Sequence, residues 1–345
     1  MISQLSVFNG FMGFCLLSLW GVGAVAGDAP AATPAKTPGA LVKENIAPDL
    51  AWEKRSDWAD VKVPAAPAPV AAKAPAGGKA PTDGKAPATP AAVAPVVPPA
   101  VGDGKADDTA AIQAALDAMK SGDTLYFPAG TYRITKTLTA STGQNLGITL
   151  IGHGRGTVFV WDGAAGESMF LQGTGCGISR FVGLTWDGRG VAGVGMDFSN
   201  KKHFETEQRF QHCAFLNLTD SGIRMGYKMR YATAETLYEN CYFANCTRGI
   251  ALMNFNVLDH TMIGCEFRGC GVGIYGGKGS NFYIRECRFA GSTESDVVFM
   301  GEAGSSIRRS VSQGSKQFVD YRAIVAPLAI QDCRVDGWKA SPAIR

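Results

Sequence analysis

A cysteine returns at a near-constant interval through the second half of the chain. Cys213, Cys241, Cys265, Cys287 and Cys333 open the phrases CAFLNLTDSGIRM, CYFANCTRGIALM, CEFRGCGVGIYGG, CRFAGSTESDVVF and CRVDGWKASPAIR. The steps are 28, 24, 22 and 46 residues, and Ser310, opening SVSQGSKQFV, stands at the midpoint of the last. A unit of this length cannot bury its own apolar residues. It must stack on its neighbours, so the repeat predicts a solenoid and not a closed globule.

Aligned on the cysteine, the phrases resolve into columns. Three places before it stand Phe210, Tyr238, Met262, Ile284, Ile307 and Ile330. Two places after it stand Phe215, Phe243, Phe267, Phe289, Ser312 and Val335. Eight to eleven places after it come Gly222-Ile223, Gly249-Ile250, Gly273-Ile274, Val297-Val298 and Phe318-Val319. Short strands with alternate residues facing inward would place each column along the inside of a tube, about 4.8 Å per rung. Phe181, Leu184 and Trp186 fit the same template one coil earlier, and ITLIGHGRGTVFVWDG begins the stack near Ile148. This predicts an all-β, parallel β-helix of about eight coils, about 40 Å long. The cysteines are then core fillers, with Cys246 and Cys270 as a second short column. Neighbours on parallel strands keep their Cβ atoms too far apart for a disulfide, which wants about 3.8 Å. Free, buried and inert thiols are therefore expected.

The first 26 residues read as an export signal: an apolar run from Phe11 to Val25 ends in Ala24-Val25-Ala26. It has no Lys or Arg in its first part, and a single membrane anchor is the alternative. Residues 27–100 are dominated by Ala, Pro and Lys and read as an extended spacer that cannot bury enough apolar surface to order itself. Within it, residues 41–63 carry Trp52 and Trp58 among mixed charges. This patch is either a short helix that docks on a partner or on the folded domain, or an apolar island in the spacer; the island is the preferred reading. A net charge of +3 over 345 residues implies no basic face, which argues against nucleic acid. His153, His203, His212 and His260 have no cysteine partners at zinc spacing, so no metal site is predicted.

The β-helix domain is placed at 101–345. In VGDGKADDTAAIQAALDAMKSGDTLYFPAGTYRITKTL, Asp107 or Asp108 is expected to cap a helix bearing Ile112, Ala115, Leu116 and Met119, which Gly122 ends. Strands are expected at Thr124–Phe127 and Tyr132–Ile134 around a Pro128-Ala129-Gly130 turn. The pairing of GDGKADDTAAIQ with LYFPAGTY resembles the start of the pectate-lyase-like superfamily, which includes the rhamnogalacturonase and epimerase-type single-stranded right-handed parallel β-helices. The likeness is close over residues 101 to about 160 and looser beyond. It implies a right-handed β-helix whose N-terminal helix seals the tube, with Asp103, Asp107 and Asp108 as turn and capping residues. Gly152-His153-Gly154 is similar to a polygalacturonase signature, but the aspartate motifs that should accompany it are absent, so His153 is not taken as catalytic. Val257-Leu258-Asp259-His260 is similar to a pectate lyase motif over four residues only.

Two coils are long. Their insertions, SNKKHFETEQ at 199–208 and GYKMRYATAE at 226–235, should project side by side from one edge. They gather Lys201, Lys202, His203, Glu205, Glu207, Lys228, Arg230, Tyr231 and Glu235, followed by Asp259 and His260 one coil on and by Tyr321 and Arg322 farther along. A charged, aromatic rim suits an extended polymer: rings stack on sugars, and cations pair with uronate carboxylates. Hydrolysis would use two carboxylates, Glu235 with Asp259. β-Elimination would use Arg230, Lys228 or His260 as base, with Ca²⁺ as an implied cofactor; hydrolysis calls for none. Substrate binding would fall to Lys201, Lys202, His203, Glu205, Lys228, Tyr231, Tyr321 and Arg322. A polysaccharide hydrolase or lyase, secreted, periplasmic or at the cell surface, is thus expected. A non-catalytic adhesion module is the rival, and a merely solvated loop surface stays open. The last cysteine phrase ends close to Arg345 without a second lid, so either further coils of a longer parent or a partner or second copy is expected at that end.

Overall fold

The computed structural model describes residues 50, 54–63, 97–140, 147–173, 177–199, 204–228, 233–277 and 280–345. The expected export segment, and most of the expected spacer including Trp52, lie outside the described residues. Three parallel sheets run the length of a tube. Sheet A has ten strands, from Ala59–Asp60 and Thr124–Tyr126 to Leu328–Gln331. Sheet B has ten, from Asp103–Asp107 to Arg334–Asp336, and sheet C has eight, from Leu138–Ala140 to Val319–Tyr321. Successive coils visit A, B and C in turn, which is the predicted parallel β-helix. Only one α-helix, Thr109–Ala118, occurs among the described residues; it buries Ile112 and Leu116 in the first coils.

The inward columns are those read from the sequence. Phe181, Phe210, Tyr238, Met262, Ile284 and Ile307 pair rung by rung in sheet A and are all fully buried. In sheet B, Phe215, Phe243, Phe267 and Phe289 stack at 5.2, 4.9 and 4.9 Å between ring centroids. The rings lie over a glycine column in sheet C. A Cβ on Gly222 would meet the Phe243 ring at 2.7 Å, and one on Gly249 the Phe267 ring at 2.6 Å. The seven cysteines among the described residues are free. Cys213, Cys241, Cys265 and Cys287 each donate to a carbonyl one coil below, at 3.3 to 3.6 Å, and burial pushes Cys241, Cys246 and Cys287 well above the usual thiol range.

Flat sheets meet at corners made by single left-handed residues. One set precedes the cysteine column: Gly183, His212, Asn240, Gly264, Glu286, Arg309 and Asp332 all have positive φ. Another follows sheet B at Asn217, Asn245, Gly269, Gly291, Gly314 and Gly337. Asn and Gly dominate that set because they tolerate this region best. Asn245 Nδ2 donates to Asn217 Oδ1 at 3.1 Å, and Asn217 Nδ2 to Asp187 Oδ1 at 2.9 Å, tying the corner along the tube.

Three details differ from the sequence reading. The pair aligned with Gly273-Ile274 is Asp296-Val297, one residue before the expected Val297-Val298. Where the phenylalanine column lapses to Ser312, the glycine column becomes Asp296, whose buried carboxylate accepts from Ser312 Oγ and, at 2.6 Å, from Ser315 Oγ. Next, of the two expected capping residues, Asp107 accepts from the first-turn Thr109 N at 3.1 Å, while Asp108 holds the N-cap position without a side-chain cap and accepts instead from Val101 N at 2.6 Å and Gly102 N at 3.1 Å. Finally, the tryptophan patch is no island. Ala59–Asp60 adds a strand beside Leu125 and Tyr126, Val61 is buried, and the Trp58 ring lies 6.0 Å from that of Tyr126. His153 fastens this strap. Its Nδ1 lies 2.8 Å from the Leu50 carbonyl, which can only accept, so Nδ1 carries the proton and Nε2 accepts from Tyr126 Oη at 2.6 Å.

At the far end, residues 343–345 meet the open edge of sheet C, with Phe318 N donating to Ala343 O at 2.9 Å. No helix among the described residues is long and apolar enough to cross a membrane.

Candidate functional site

The two insertions do lie side by side. Glu205–Thr206 pairs in parallel with Thr233–Ala234, Ile178 N donates to Thr206 O at 3.0 Å, and Thr233 N to Asn256 O at 3.2 Å. Four consecutive coils thus build a ledge at the corner between sheets C and A.

The corner residue of each coil stands at the foot of this ledge. The register Arg209↔Leu237, Leu237↔Thr261 and Thr261↔Tyr283 places Glu207, Glu235, Asp259 and Asn281 in one column. The three acids are left-handed, with φ of 54°, 56° and 57°, and all are exposed. Neighbouring rungs are about 4.8 Å apart. Glu235 Oε2 accepts from Thr206 Oγ1 at 2.7 Å. Asp259 Oδ1 accepts from Asn281 Nδ2 at 3.1 Å and Tyr283 Oη at 3.4 Å. The two acids thus stand on adjacent rungs and are open to solvent, with Glu235 held toward the coil before it and Asp259 toward the coil after it.

The other predicted residues divide. His260 points into the tube and is fully buried. Its Nε2 donates to Thr233 O at 3.0 Å, so Nδ1 accepts from Tyr238 Oη at 3.1 Å; both nitrogens are occupied. Burial disfavours the imidazolium and brings its pKa down to about 4. Glu205 is also buried, with Thr233 Oγ1 at 3.5 Å from its carboxylate, and so supports the ledge from within. Lys228 is exposed at the end of sheet C, its ammonium 4.8 Å from the centre of the Tyr227 ring. Tyr321 and Arg322 belong to sheet C four rungs beyond Met225, about 19 Å along the tube. Tyr321 Oη donates to Ala326 O, and Arg322 pairs with Asp320, so the structure does not bring them to the Glu235–Asp259 pair. Lys201, Lys202, His203, Arg230 and Tyr231 lie outside the described residues.

One network went unread in the sequence. On the outer face of sheet C, Arg224 bridges Asp197 at 2.6 Å and Asp220 at 2.9 Å, and Arg248 meets Asp220 at 2.6 Å. Arg224 lies over Tyr227 and Arg248 over Tyr275. The charges neutralise one another, and the network ties three coils together beside the ledge. The recurring SGIR and TRGI phrases mark it only once the register is known. Among the described residues no group of three His, Cys, Asp or Glu could hold a metal ion.

Comparison with known proteins agrees with this architecture. A family model described as rhamnogalacturonase A/epimerase, pectate lyase-like matches residues 99–173, and a right-handed β-helix region model matches residues 174–319, so the two run without a gap across the tube. No curated protein matches the chain. Among solved structures, the surface adhesin PfbA of Streptococcus pneumoniae is 16% identical, with a TM-score of 0.43, over 67% of this chain and 64% of that one. The tailspike of Acinetobacter phage vB_ApiP_P1 is 16% identical, with a TM-score of 0.46, over 67% and 48%. The endo-xylogalacturonan hydrolase of Aspergillus tubingensis is 11% identical, with a TM-score of 0.38, over 68% and 91%. The chain spans about half to two-thirds of the length of the adhesin and the tailspike.

Proposed function

We propose that this chain, which belongs to the pectate-lyase-like right-handed β-helix proteins, is exported and hydrolyses a pectin-like or other uronate-containing polysaccharide at its C–A edge. The observation that carries the reading is the placement of Glu235 and Asp259 on adjacent rungs, exposed beside a ledge built by paired insertions. Asp259, held by two donors, is the nucleophile, because donors stabilise a full negative charge. Glu235, with one hydroxyl donor, is the acid. Asp259 attacks the anomeric carbon as Glu235 gives its proton to the leaving oxygen. Glu235 then takes a proton from water, and the resulting hydroxide releases the sugar from Asp259. Lys228 supplies a cation beside the ledge for a uronate carboxylate. Elimination is the weaker reading, because His260, one of its candidate bases, has both nitrogens engaged inside the tube.

The test is incubation of the protein with pectin, polygalacturonate, alginate and rhamnogalacturonan, following reducing ends and the absorbance of unsaturated uronates. Hydrolysis gives new reducing ends without that absorbance, and Glu235→Gln or Asp259→Asn lowers the rate by about 10²–10⁴-fold. Unsaturated ends would instead establish elimination. Binding without cleavage of any of these polymers would identify a surface-binding module.

A further inference from the structure

Phenylalanine is an interior residue in this protein. Fifteen phenylalanines lie among the described residues, and thirteen of them are at most 1% exposed. The two exceptions are Phe204, 51% exposed, and Phe255, 62% exposed, and both stand on the ledge. Phe204 immediately precedes Glu205, which pairs with Thr233; Phe255 immediately precedes Asn256, whose carbonyl accepts from Thr233 N. The two rings therefore occur two rungs apart, about 10 Å along the tube, within one residue of the same column. Three residues after Phe204 comes Glu207, and four after Phe255 comes Asp259, so both phenylalanines lie on the sheet C side of the carboxylate ladder.

We infer that Phe204 and Phe255 are stacking platforms for uncharged pyranose units, and that the stretch of polymer lying across the ladder is neutral. The inference rests on the polysaccharide reading above and specifies which part of the chain that site takes. A phenyl ring has no polar handle and offers only its face, which matches the C–H-bearing face of a sugar ring. Exposing two such rings where every other phenylalanine among the described residues is packed leaves apolar area in water that a ligand could cover. Glu207, Glu235 and Asp259 are exposed beside them, and a uronate in the same place would bring like charges together. Uronate units, if present in the polymer, belong farther out, toward Lys228.

The full chain and its variants would be run in native gels containing β-1,4-galactan, galactomannan or polygalacturonate. The expected result is retardation of the wild type by a neutral polymer, weakened about tenfold or more in Phe204→Ala/Phe255→Ala. Phe255→Trp should preserve retardation, and Phe255→Leu should lose it as Phe255→Ala does, which separates ring stacking from general apolarity. Thermal unfolding should be unchanged in all of these, since neither ring packs in the core. Retardation by polygalacturonate alone, or by a neutral polymer equally in wild type and double variant, would overturn the platforms. Cleavage that survives in the double variant while Glu235→Gln abolishes it would leave the hydrolase reading standing without them. A wild type that neither binds nor cleaves any polymer would remove both.

Discussion

Two buried ionisable groups in the tube should hide each other's pH dependence. Asp296 is enclosed by Ser312 and Ser315, and burial pushes its pKa from 3.8 up to about 6. Its proton is bound more tightly in the folded protein. The corresponding stability is fully present below pH 4 and is lost as the pH rises toward 6. A shift of about two units corresponds to about 3 kcal/mol. His260 behaves in the opposite sense. Burial lowers its pKa from 6.5 to about 4, so folding expels a proton; stability is full above pH 6.5 and falls by about 3 kcal/mol as the pH drops to 4. Asp103 and Asp107, whose pKa values are lowered by hydrogen bonds, act below this window, and burial raises that of Asp108, which adds to the Asp296 slope just above pH 4. The wild type should therefore show a nearly flat stability between pH 4 and 6.5, because the two slopes cancel. Asp296→Asn removes one of them and should lose stability steeply on acidification. His260→Gln removes the other and should lose stability as the pH rises from 4 to 6; glutamine suits the column, since Gln208 occupies it two rungs away. Urea titrations at half-unit pH intervals, compared as slopes and not as absolute values, provide the measurement. Parallel pH profiles for the wild type and both variants would refute the reasoning.

Three further outcomes follow from packing. Ser312→Phe alone drives a ring into the Asp296 carboxylate and Asp296→Gly alone empties a cavity, but together they restore the column of rings over glycines; a double-mutant cycle should give a favourable coupling of about 1–3 kcal/mol in chemical denaturation. Ile178 is β-branched yet left-handed, with φ of 61°, and heads the corner column; Ile178→Gly should raise stability by about 1 kcal/mol, seen as a higher denaturation midpoint. Trp58→Ala should loosen the strap, costing about 1–2 kcal/mol and raising hydrogen exchange at Val61, whose amide donates to Tyr126 O, before any change in the later coils.

The parts of this molecule that could be read in its sequence are those that face inward and repeat. A tube with one rung every few ångströms must place like on like, so Phe215, Phe243, Phe267 and Phe289 announce their column without any knowledge of the turns between them. Asp296 escaped because the alignment assumed that an interior position is apolar. The structure satisfies that position by a paired exchange, carboxylate for glycine and hydroxyl for ring, which no single strand reveals. The strap escaped for a different reason. Its contacts, Trp58 on Tyr126 and Leu50 on His153, join a segment of spacer-like composition to residues as many as 103 positions away, and local sequence carries no trace of such pairing. The candidate site falls between these cases. Glu235 and Asp259 could be matched because each lies three residues before a column member, Tyr238 and Met262, so strand register decides their spacing. Which loop side chains turn outward is decided by corners and insertions, where period-two alternation ends. His260 and Glu205 therefore proved internal while Phe204 and Phe255 proved external, each against its ordinary hydrophobicity. At the ledge both inversions meet: polar groups are drawn in to brace it and the two exposed phenylalanine rings are turned out from it.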